Sequence, residues 1–335
     1  MGGFEEVSFN HNLKNQLGID LNLFIDNDNY SFKTLWYFDP IRKSPTLSYV
    51  IIKDSPPEGL PIMFEIKKED DLSYIANIGE DVFCAKSIDN LYNSLGNISD
   101  FRHNFNMFFS ELIYGFNFIS SFRFDPERTY YQSLGDSKII KSGVGYINQI
   151  LDWNDSQSEK LYKLVTILKD LGIVYDIKPH RLSGGRFEIK VKVKSRSKWD
   201  SLADVGFGIS QFLPIIVADL QLSDKSTLIM SQPEIHLHPS VQANLGNYLV
   251  KQVKEKEKSY IVETHSEYLL NRMRLLIVQE EIQPEDVAVY YFENSIKNGS
   301  VAHRIEFTKQ GQILNAPKGF FDTYMIDTMD IALNA

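Results

Sequence analysis

The sequence predicts an α/β protein in which a mixed sheet is flanked by helices and preceded by an antiparallel β and helical portion. Two observations lead to this fold class. Between residues 19 and 68, short apolar segments are separated by turn-forming residues, which is typical of antiparallel strands. Beyond about Lys198, apolar strands alternate with amphipathic helices, which favours a parallel sheet covered on both faces. The change of pattern divides the chain into residues 1–197 and residues 198–335.

The first part begins with strands and continues with helices. The four predicted strands are "LNLFI", "SFKTLWYF", "TLSYVIIK" and "IMFEIKK". Apolar residues at helical spacing predict one helix between Asp100 and Phe116, and a second that includes residues 161–171 and ends near Gly172. Two further strands, "IVYDIK" and "RFEIKVKV", are joined by "PHRLSGG".

The second part repeats the order strand then helix. The strand "STLIM" leads into a helix that starts near Pro239, because proline is well tolerated in a first helical turn. The strand "YIVET" leads into a helix with Tyr268 and Leu269 at its start. "VAVYYFEN" and "VAHRIEF" are typical of a hairpin around an Asn-Gly turn. We interpret the charge run "KEKEK" at 254–258 as the solvated end of a helix.

The composition is that of an ordinary globular protein. The 335 residues are 43% hydrophobic and 24% charged, with a net charge of −9. This balance argues against a surface that binds phosphate backbones throughout, but it leaves room for a local basic patch. Cys84 is the single cysteine and no signal peptide opens the chain, so we expect a cytoplasmic protein. The apolar stretch 212–220 is too short to span a bilayer, so no membrane contact is expected.

The segment "DVGFGISQFLP", residues 204–214, has the composition of an anion-binding turn. Gly206 and Gly208 let a backbone approach a ligand closely, and Ser210 is predicted to cap the helix that follows. The amides at the start of such a helix would then face an anion. The alternative is an ordinary tight turn before a capped helix. The similar-looking "LSGGR", residues 182–186, precedes a strand, so we interpret Ser183 to Gly185 as a hairpin turn.

The segment "SQPEIHLHP", residues 231–239, follows a predicted strand at the point where nucleotide hydrolases usually present carboxylates. Here the chain presents Ser231 and Gln232. The same segment also suggests a metal site built from His236 and His238, with Glu234 and His265 nearby in the predicted sheet. Residues two apart in an extended segment point to opposite sides, however, so one metal would need a bent loop and a third ligand.

Several segments together resemble one family. These are "VGFGISQFLPII", "STLIMSQPEIHLHPSVQANL", "YIVETHSEYLL", "PEDVAVYYFE" and "PKGFFD". In this order and spacing they are similar to prokaryotic ABC-type ATPases of the AAA family, which are related to OLD nucleases and to structural-maintenance-of-chromosomes ATPases, with a C-terminus of the DUF3696 type. The resemblance covers Ser201 to about Ile331. It extends more loosely to "GGFEEVSFNHN" and to "ISSFRFDPERTYY".

The resemblance implies roles for particular residues. It assigns nucleotide binding to Gly206, Gly208, Ser210, Gln211 and Ser231, and catalysis to Gln232, Glu234 and His265. Gly206, Gly208 and Ser210 resemble the signature element, which contacts the γ-phosphate of a nucleotide held by the opposite subunit. Ser231 stands at the Walker B carboxylate, Gln232 at the catalytic glutamate and His265 at the switch histidine. Glu234, His236 and His238 match the family's "PE-HLHP" loop.

Two departures from the family pattern change the expected activity. No Gly-x-x-x-x-Gly-Lys-Ser/Thr occurs in the sequence, so the nest and lysine that hold the β- and γ-phosphates are missing together with the N-terminal Walker A lobe. Ser231 is a neutral hydroxyl, which leaves a degenerate Walker B with less charge for Mg²⁺. Gln232 can position a water molecule but cannot accept a proton as a general base.

The resulting prediction is a partial or degenerate ATPase subunit that supplies the signature half of a composite ATP site. It would bind ATP and Mg²⁺ only if a P-loop-bearing lobe or subunit is present, and it would not hydrolyse ATP alone. The partner could be a separate chain with the P-loop lobe, an intact ATPase that accepts this chain as a regulatory half, or a second copy of this chain that merely covers the exposed surface. A sheet without the P-loop elements should expose apolar surface. The resemblance suggests work in anti-phage defence, or with DNA or a defence effector. The alternatives are a non-catalytic scaffold or regulatory pseudo-ATPase and, further away, a histidine-based metallo-hydrolase.

Overall fold

The computed structural model describes residues 16–25, 28–39, 44–55, 62–70, 73–78, 81–85, 115–133, 138–295, 299–317, 320 and 333. The chain divides into two compact units. The first contains residues 1–108 and 294–300, and the second contains residues 109–293 and 301–335. The predicted boundary between residues 197 and 198 lies within the second unit and stays a prediction.

The first unit holds an antiparallel sheet of six strands in sequential order. The strands are β1 (Leu17–Ile25), β2 (Asp28–Asp39), β3 (Ser44–Ser55), β4 (Ile62–Asp70), β5 (Ser73–Ile78) and β6 (Asp81–Ala85). Alternate residues of the inner strands are buried, among them Val50, Ile66 and Ala76, as expected when one face of an antiparallel sheet is covered. The four predicted strands are confirmed, whereas β5 and β6 were missed.

A three-stranded parallel sheet lies at the centre of the second unit. Its order is β13 (Ser259–Glu263), β12 (Thr227–Ser231) and β7 (Phe116–Ile119). Leu228 and Met230 are buried in the core on one face. On the other face Phe116 is 38% exposed and Ile261 is 58% exposed. Among the described residues, the covering expected on both faces is therefore complete on one face only.

Five α-helices accompany this sheet within the described residues. They are α1 (Tyr146–Asp155), α2 (Glu159–Asp170), α3 (Phe207–Gln221), α4 (Pro239–Lys256) and α5 (Glu267–Val278). The predicted helices α2, α4 and α5 are confirmed. Ser158 caps α2, and Pro239 occupies the first turn of α4. The helix predicted between Asp100 and Phe116 lies outside the described residues except at its end, where Phe116 belongs to strand β7.

A second sheet of this unit is built around β10 (Arg186–Lys192). β10 pairs with β9 (Asp176–Arg181) on one side, and with β8 (Tyr130–Tyr131) and β11 (Asp200–Ser201) on the other. The turn between β9 and β10 holds Gly184 and Gly185 at positive φ. The interpretation of "LSGGR" as a hairpin turn is thus confirmed.

The chain continues into a small antiparallel sheet of β14 (Val289–Ser295), β15 (Gly299–Phe307) and β16 (Ile313–Leu314). The predicted hairpin strands are confirmed, while residues 296–298 of its turn lie outside the described residues. Together the elements confirm the predicted α/β class. Searching the described residues for a helix long and apolar enough to cross a membrane found none.

The main core joins α1 to α4 with β9, β10 and β12. Its fully buried side chains include Ile150, Leu164, Phe187, Phe212 and Leu228. One charged residue belongs to this interior against expectation. Lys258, the last residue of "KEKEK", is only 5% exposed because its ammonium group pairs with buried Asp219. The interpretation of that run as wholly solvated is therefore wrong at its last position.

Candidate functional site

The candidate residues meet at the carboxyl edge of the parallel sheet. β12 and β13 run parallel with Ser231 opposite Glu263, so both strands end at the same level. The loop 232–238 that follows β12 and the turn 264–266 that follows β13 leave the sheet at this edge. Carboxyl ends of parallel strands are where α/β proteins commonly bind ligands.

The start of α3 packs against the loop after β12. A Cβ atom added to Gly208 would collide with the carbonyl oxygen of His236, so only glycine allows this approach. The Phe207 and His236 rings meet edge to face with their centroids 5.0 Å apart. A Cβ atom added to Gly206, by contrast, would meet nothing within 4 Å. The two glycines therefore differ: Gly208 fixes the helix on the loop, and Gly206 borders open space.

Ser210 does not cap α3, and the prediction that it does is wrong. The helix begins at Phe207 with Gly206 at the N-cap position, so Ser210 already lies inside the helix. Its side chain is fully buried, and its hydroxyl donates to the carbonyl of Phe207 at 2.8 Å. Gln211 is buried too, and its amide donates to the carbonyls of Arg123 and Phe124. Both side chains hold the first turns of α3 in place.

Ser231 is hydrogen-bonded to the carboxylate of Glu263. Ser231 is buried, whereas Glu263 is exposed at the end of the neighbouring strand. A carboxylate thus lies beside Ser231 at the end of β12, supplied by the neighbouring strand β13. Gln232 follows in the left-handed region at φ +45°, with its N–H donating to the carbonyl of Glu263 at 2.7 Å. This conformation is uncommon for a residue other than glycine and marks a constrained turn.

Arg123 links the start of α3 to the end of β12. Its side chain is buried, and its guanidinium donates to the carbonyls of Gln211 at 3.1 Å, Ser231 at 2.7 Å and Gln232 at 3.1 Å. Burial lowers the pKa of Arg123 to about 10, while the nearby Glu234 carboxylate acts in the opposite direction. The guanidinium is therefore charged at neutral pH and ties the end of β12 to α3.

Glu234 positions the turn that carries His265. One carboxylate oxygen of Glu234 accepts the backbone N–H of His265 at 2.7 Å. The other, Oε2, is buried and makes no hydrogen bond within the described residues. The His265 side chain is exposed. The structure therefore brings these two predicted residues together and leaves the imidazole ring accessible.

The remaining histidines and Ser266 have structural partners. His238 caps α4, its Nδ1 accepting from the backbone N–H of Ser240. Ser266 caps α5 and donates to the side chain of Gln242 at 2.6 Å. Within the part of the chain that the structure describes, no group of three His, Cys, Asp or Glu side chains is placed to hold a metal ion. The metallo-hydrolase alternative gains no geometric support.

Sequence reasoning did not select two residues that the structure places in this site, Arg123 and Glu263. Arg123 lies in the quoted "ISSFRFDPERTYY", yet its partners are 88 and 108 residues away in sequence. The position of Glu263 could have been inferred from strand length. β12 and β13 have the same number of residues, so if their first residues pair, their last residues, Ser231 and Glu263, pair as well. No local pattern marks Arg123.

Two family models match separate parts of the chain. Residues 136–270 match the family model of an AAA ATPase domain, and residues 282–331 match that of a protein family of unknown function, DUF3696. No curated protein matched the chain significantly.

The solved structures similar to this chain include several SMC proteins. One comes from work on ATP-driven dimerization and DNA-stimulated activation of SMC ATPases, with 11% identity, 54% of this chain and 97% of that chain covered, and a TM-score of 0.36. A second is an Smc head bound to the C-winged helix domain of ScpA, with 8% identity, 83% and 75% covered, and a TM-score of 0.39. The SMC head domain from Thermotoga maritima has 9% identity, 83% and 74% covered, and a TM-score of 0.33. From the family models, the resemblance to an AAA ATPase domain is confirmed over residues 136–270, and that to DUF3696 over residues 282–331.

Proposed function

We propose that the N-terminus of α3 and the carboxyl edge of β12 and β13 form the signature half of a composite ATP site, with a P-loop-bearing partner supplying the other half. An ATPase domain of the matched kind binds ATP and Mg²⁺ in general. The observation that carries the proposal is the contact between Gly208 and His236, which makes the helix N-terminus and the loop after β12 one surface. Helix N-termini bind phosphate groups well.

The phosphate contact belongs to the backbone of α3. Ser210 is fully buried, so its hydroxyl supports the first turn through the carbonyl of Phe207 and does not reach outward. Gly206 borders open space and leaves room for a ligand to approach the amides that follow it. Backbone amides and the helix dipole then provide the positive potential.

Oxygen donors suited to Mg²⁺ are present at the same edge. Mg²⁺ is usually bound through one or two carboxylates and phosphate oxygens. Glu263 and Ser231 offer a carboxylate and a hydroxyl, and Glu234 Oε2 is a buried carboxylate oxygen without a hydrogen-bond partner among the described residues. When bound there, the ion would offset phosphate charge. These residues therefore fit a metal that a nucleotide brings with it.

His265 and Gln232 would act on the nucleotide as sensor and water-orienting residue. Glu234 fixes the backbone of His265 and leaves its ring exposed, as a residue that reports a phosphate requires. Arg123 and the Glu263 carbonyl fix the backbone of Gln232. Both residues are thereby held on a rigid edge.

The exposed sheet face supports the need for a partner. Phe116 and Ile261 lie on the same face as the Ser231–Glu263 pair, and both are more than a third exposed. Exposed apolar residues next to a ligand site are typical of an interface. The sequence contains no P-loop, so this interface is where the missing phosphate-binding lobe would be supplied.

The test uses Gly206, where a side chain meets no steric conflict. Gly206→Glu places negative charge at the N-terminus of α3, whereas Gly206→Ala is the matched control. We expect Mg²⁺-ATP to increase association with a P-loop-bearing protein encoded beside this chain, measured by light scattering, and expect Gly206→Glu but not Gly206→Ala to abolish the increase. ATP turnover by the purified chain alone, equal to that of the mixture, would show a complete nucleotide site and overturn the half-site.

A scaffold without nucleotide binding is the second candidate. Burial of Ser210 and Gln211, together with the engagement of Ser231 by Glu263, is the observation that favours it. In that case the chain associates with its partner to the same extent with and without ATP. Gly206→Glu then has no effect on association.

A further inference from the structure

The outer side of the β9–β10 hairpin is strongly basic. The inward residues of β10, Phe187, Ile189 and Val191, are buried in the core, so Glu188, Lys190 and Lys192 point outward. Lys178 of β9 lies opposite Lys190 on the same side. We define the basic face as these outward lysines with Lys169 and the basic residues that follow β10. Its members are Lys169, Lys178, Lys190, Lys192, Lys194, Arg196 and Lys198.

The charge of this segment is opposite to that of the whole chain. Residues 169–198 contain nine Lys and Arg against three Asp and Glu, whereas the chain carries a net charge of −9. Within the described residues, one acid side chain pairs with the basic face. Glu188 lies 3.1 Å from the Lys190 ammonium. Asp176 stands opposite Lys192 in the strand register. The positive charge is therefore concentrated and mostly uncompensated.

Two aromatic rings alternate with the cations. The Lys178 ammonium lies 4.2 Å from the centre of the Trp199 ring. The ammonium groups of Lys169 and Lys192 lie 4.6 and 5.8 Å from the centre of the Tyr175 ring. Both rings are half-buried, so they hold the cations at the surface through cation–π contacts.

Protection of a sheet edge does not explain this arrangement. Natural sheets place lysine on edge strands to prevent pairing with other chains. β10, however, is a central strand with partners on both sides. Lys178 directly opposite Lys190 is an unfavourable pair of like charges. The fold does not require these positive charges for its stability, and a ligand of opposite charge explains them more simply.

We propose that the basic face binds the phosphate backbone of a nucleic-acid strand. Lysines at alternate positions of a strand are spaced about 7 Å apart, and they form a row that suits a linear polyanion. Half-exposed rings among cations are the combination that nucleic-acid-binding proteins use for backbone and bases. An anionic membrane would attract the same charges, but it has no linear order that a row of lysines would match. The inference does not depend on the proposed ATP site.

The experiment measures binding of a labelled single-stranded oligonucleotide, and of its duplex, by fluorescence anisotropy over a range of KCl concentrations without ATP. The test variant is Lys192→Gln with Lys194→Gln. The control is Lys251→Gln with Lys309→Gln, which removes the same charge at exposed positions outside the basic face. Thermal unfolding checks that both variants are folded.

The wild type and the control should bind with the same dependence of log affinity on log salt. Because each lysine that contacts a phosphate contributes about 1 to this slope, the test variant should lose about 2. Equal slopes for the two variants would overturn the proposal. The proposal would also be overturned if neither oligonucleotide bound at low salt. The same holds if the protein bound phosphatidylserine vesicles, tested in parallel, but neither oligonucleotide.

Discussion

A single buried guanidinium organises the candidate site at the residue scale. Burial of a charge is unfavourable unless hydrogen bonds compensate for lost water. Arg123 obtains this compensation from the carbonyls of Gln211, Ser231 and Gln232, and from the nearby Glu234 carboxylate. The planar fork of arginine is essential because its two terminal nitrogens serve different elements, α3 and the end of β12.

Arg123→Lys should therefore destabilise the protein although it keeps the charge. One ammonium group cannot serve both sides, so at least one buried carbonyl loses its donor, at a cost of about 2–3 kcal/mol in the free energy of unfolding. Arg128→Lys is the control, since that side chain is 73% exposed in its pair with Asp204 and contributes about 0–1 kcal/mol. Urea unfolding compares the two. Equal effects would mean that Arg123 is not a connecting residue.

The two glycines at the start of α3 should respond differently to alanine. Gly208→Ala forces the new methyl group against the carbonyl of His236, which should lower the free energy of unfolding by about 1–3 kcal/mol. Gly206→Ala meets no atom within 4 Å and should lower it by no more than about 1 kcal/mol, the usual preference for glycine over alanine at an N-cap. Thermal unfolding of both variants measures the difference. A harmless Gly208→Ala would contradict the close packing of α3 on the loop.

Sequence reasoning found much of the site because its motifs are local. Glu234, His265 and the two glycines follow recognisable patterns, and the structure brings them to one edge. The cap assigned to Ser210 was wrong because apolar spacing marks a helix without fixing its first residue, and α3 begins with no side-chain cap. Arg123 was missed because its contacts depend on the tertiary fold alone.

At the scale of elements, a buried carboxylate joins α3 to its neighbours. Asp219 of α3 accepts hydrogen bonds from Tyr248 of α4 and from Tyr260 of β13. Lys258 donates to both the carbonyl and the carboxylate of Asp219, at 2.6 and 3.2 Å. This network fixes α3 along the sheet from the end opposite the candidate site. Lys258 was predicted to be solvated because it ends a run of charged residues. In the fold, that run ends inside the core.

The network predicts a loss of stability in alkali. Burial, followed by the charge of Asp219, raises the pKa of Tyr260 above its ordinary value near 10. The folded protein therefore keeps a proton that the unfolded chain loses, so this stabilisation is complete below about pH 10 and declines above it. Each such tyrosine contributes a slope of up to about 1.4 kcal/mol per pH unit.

Tyr260→Phe should make the loss of free energy of unfolding per pH unit smaller, by up to the roughly 1.4 kcal/mol that one tyrosine contributes. Urea unfolding at several pH values between about 9 and 11 measures it, with Tyr162→Phe, at a side chain that is 75% exposed, as the matched control. A slope unchanged by Tyr260→Phe would mean that its hydroxyl ionises in the folded protein. The hydrogen bond to Asp219 would then be absent in solution.

On the scale of the whole molecule, the α/β class followed from the alternation of strands and helices, which reflects burial directly. The pattern did not reveal β5, β6 or α1. These elements are short, and Tyr74 and Ala76 of β5 are buried by the fold rather than marked by a long apolar run. Exposed apolar surface on the sheet is expected from the sequence, and Phe116 and Ile261 are exposed on one of its faces; that an absent P-loop lobe is the cause stays a prediction.

The second unit should fold without the first. Every member of its two apolar clusters, from Ile119 to Phe320, belongs to that unit. A chain of residues 109–335, which also includes residues 294–300 of the first unit, therefore keeps the whole of both clusters. We expect this fragment to unfold cooperatively in urea. Leu228→Ala, at the centre of the parallel sheet, should lower its free energy of unfolding by about 2–5 kcal/mol, because it leaves a cavity in a closely packed core. A broad transition that Leu228→Ala does not shift would show that the fragment is a loosely packed state and that residues 1–108 are needed to complete its core.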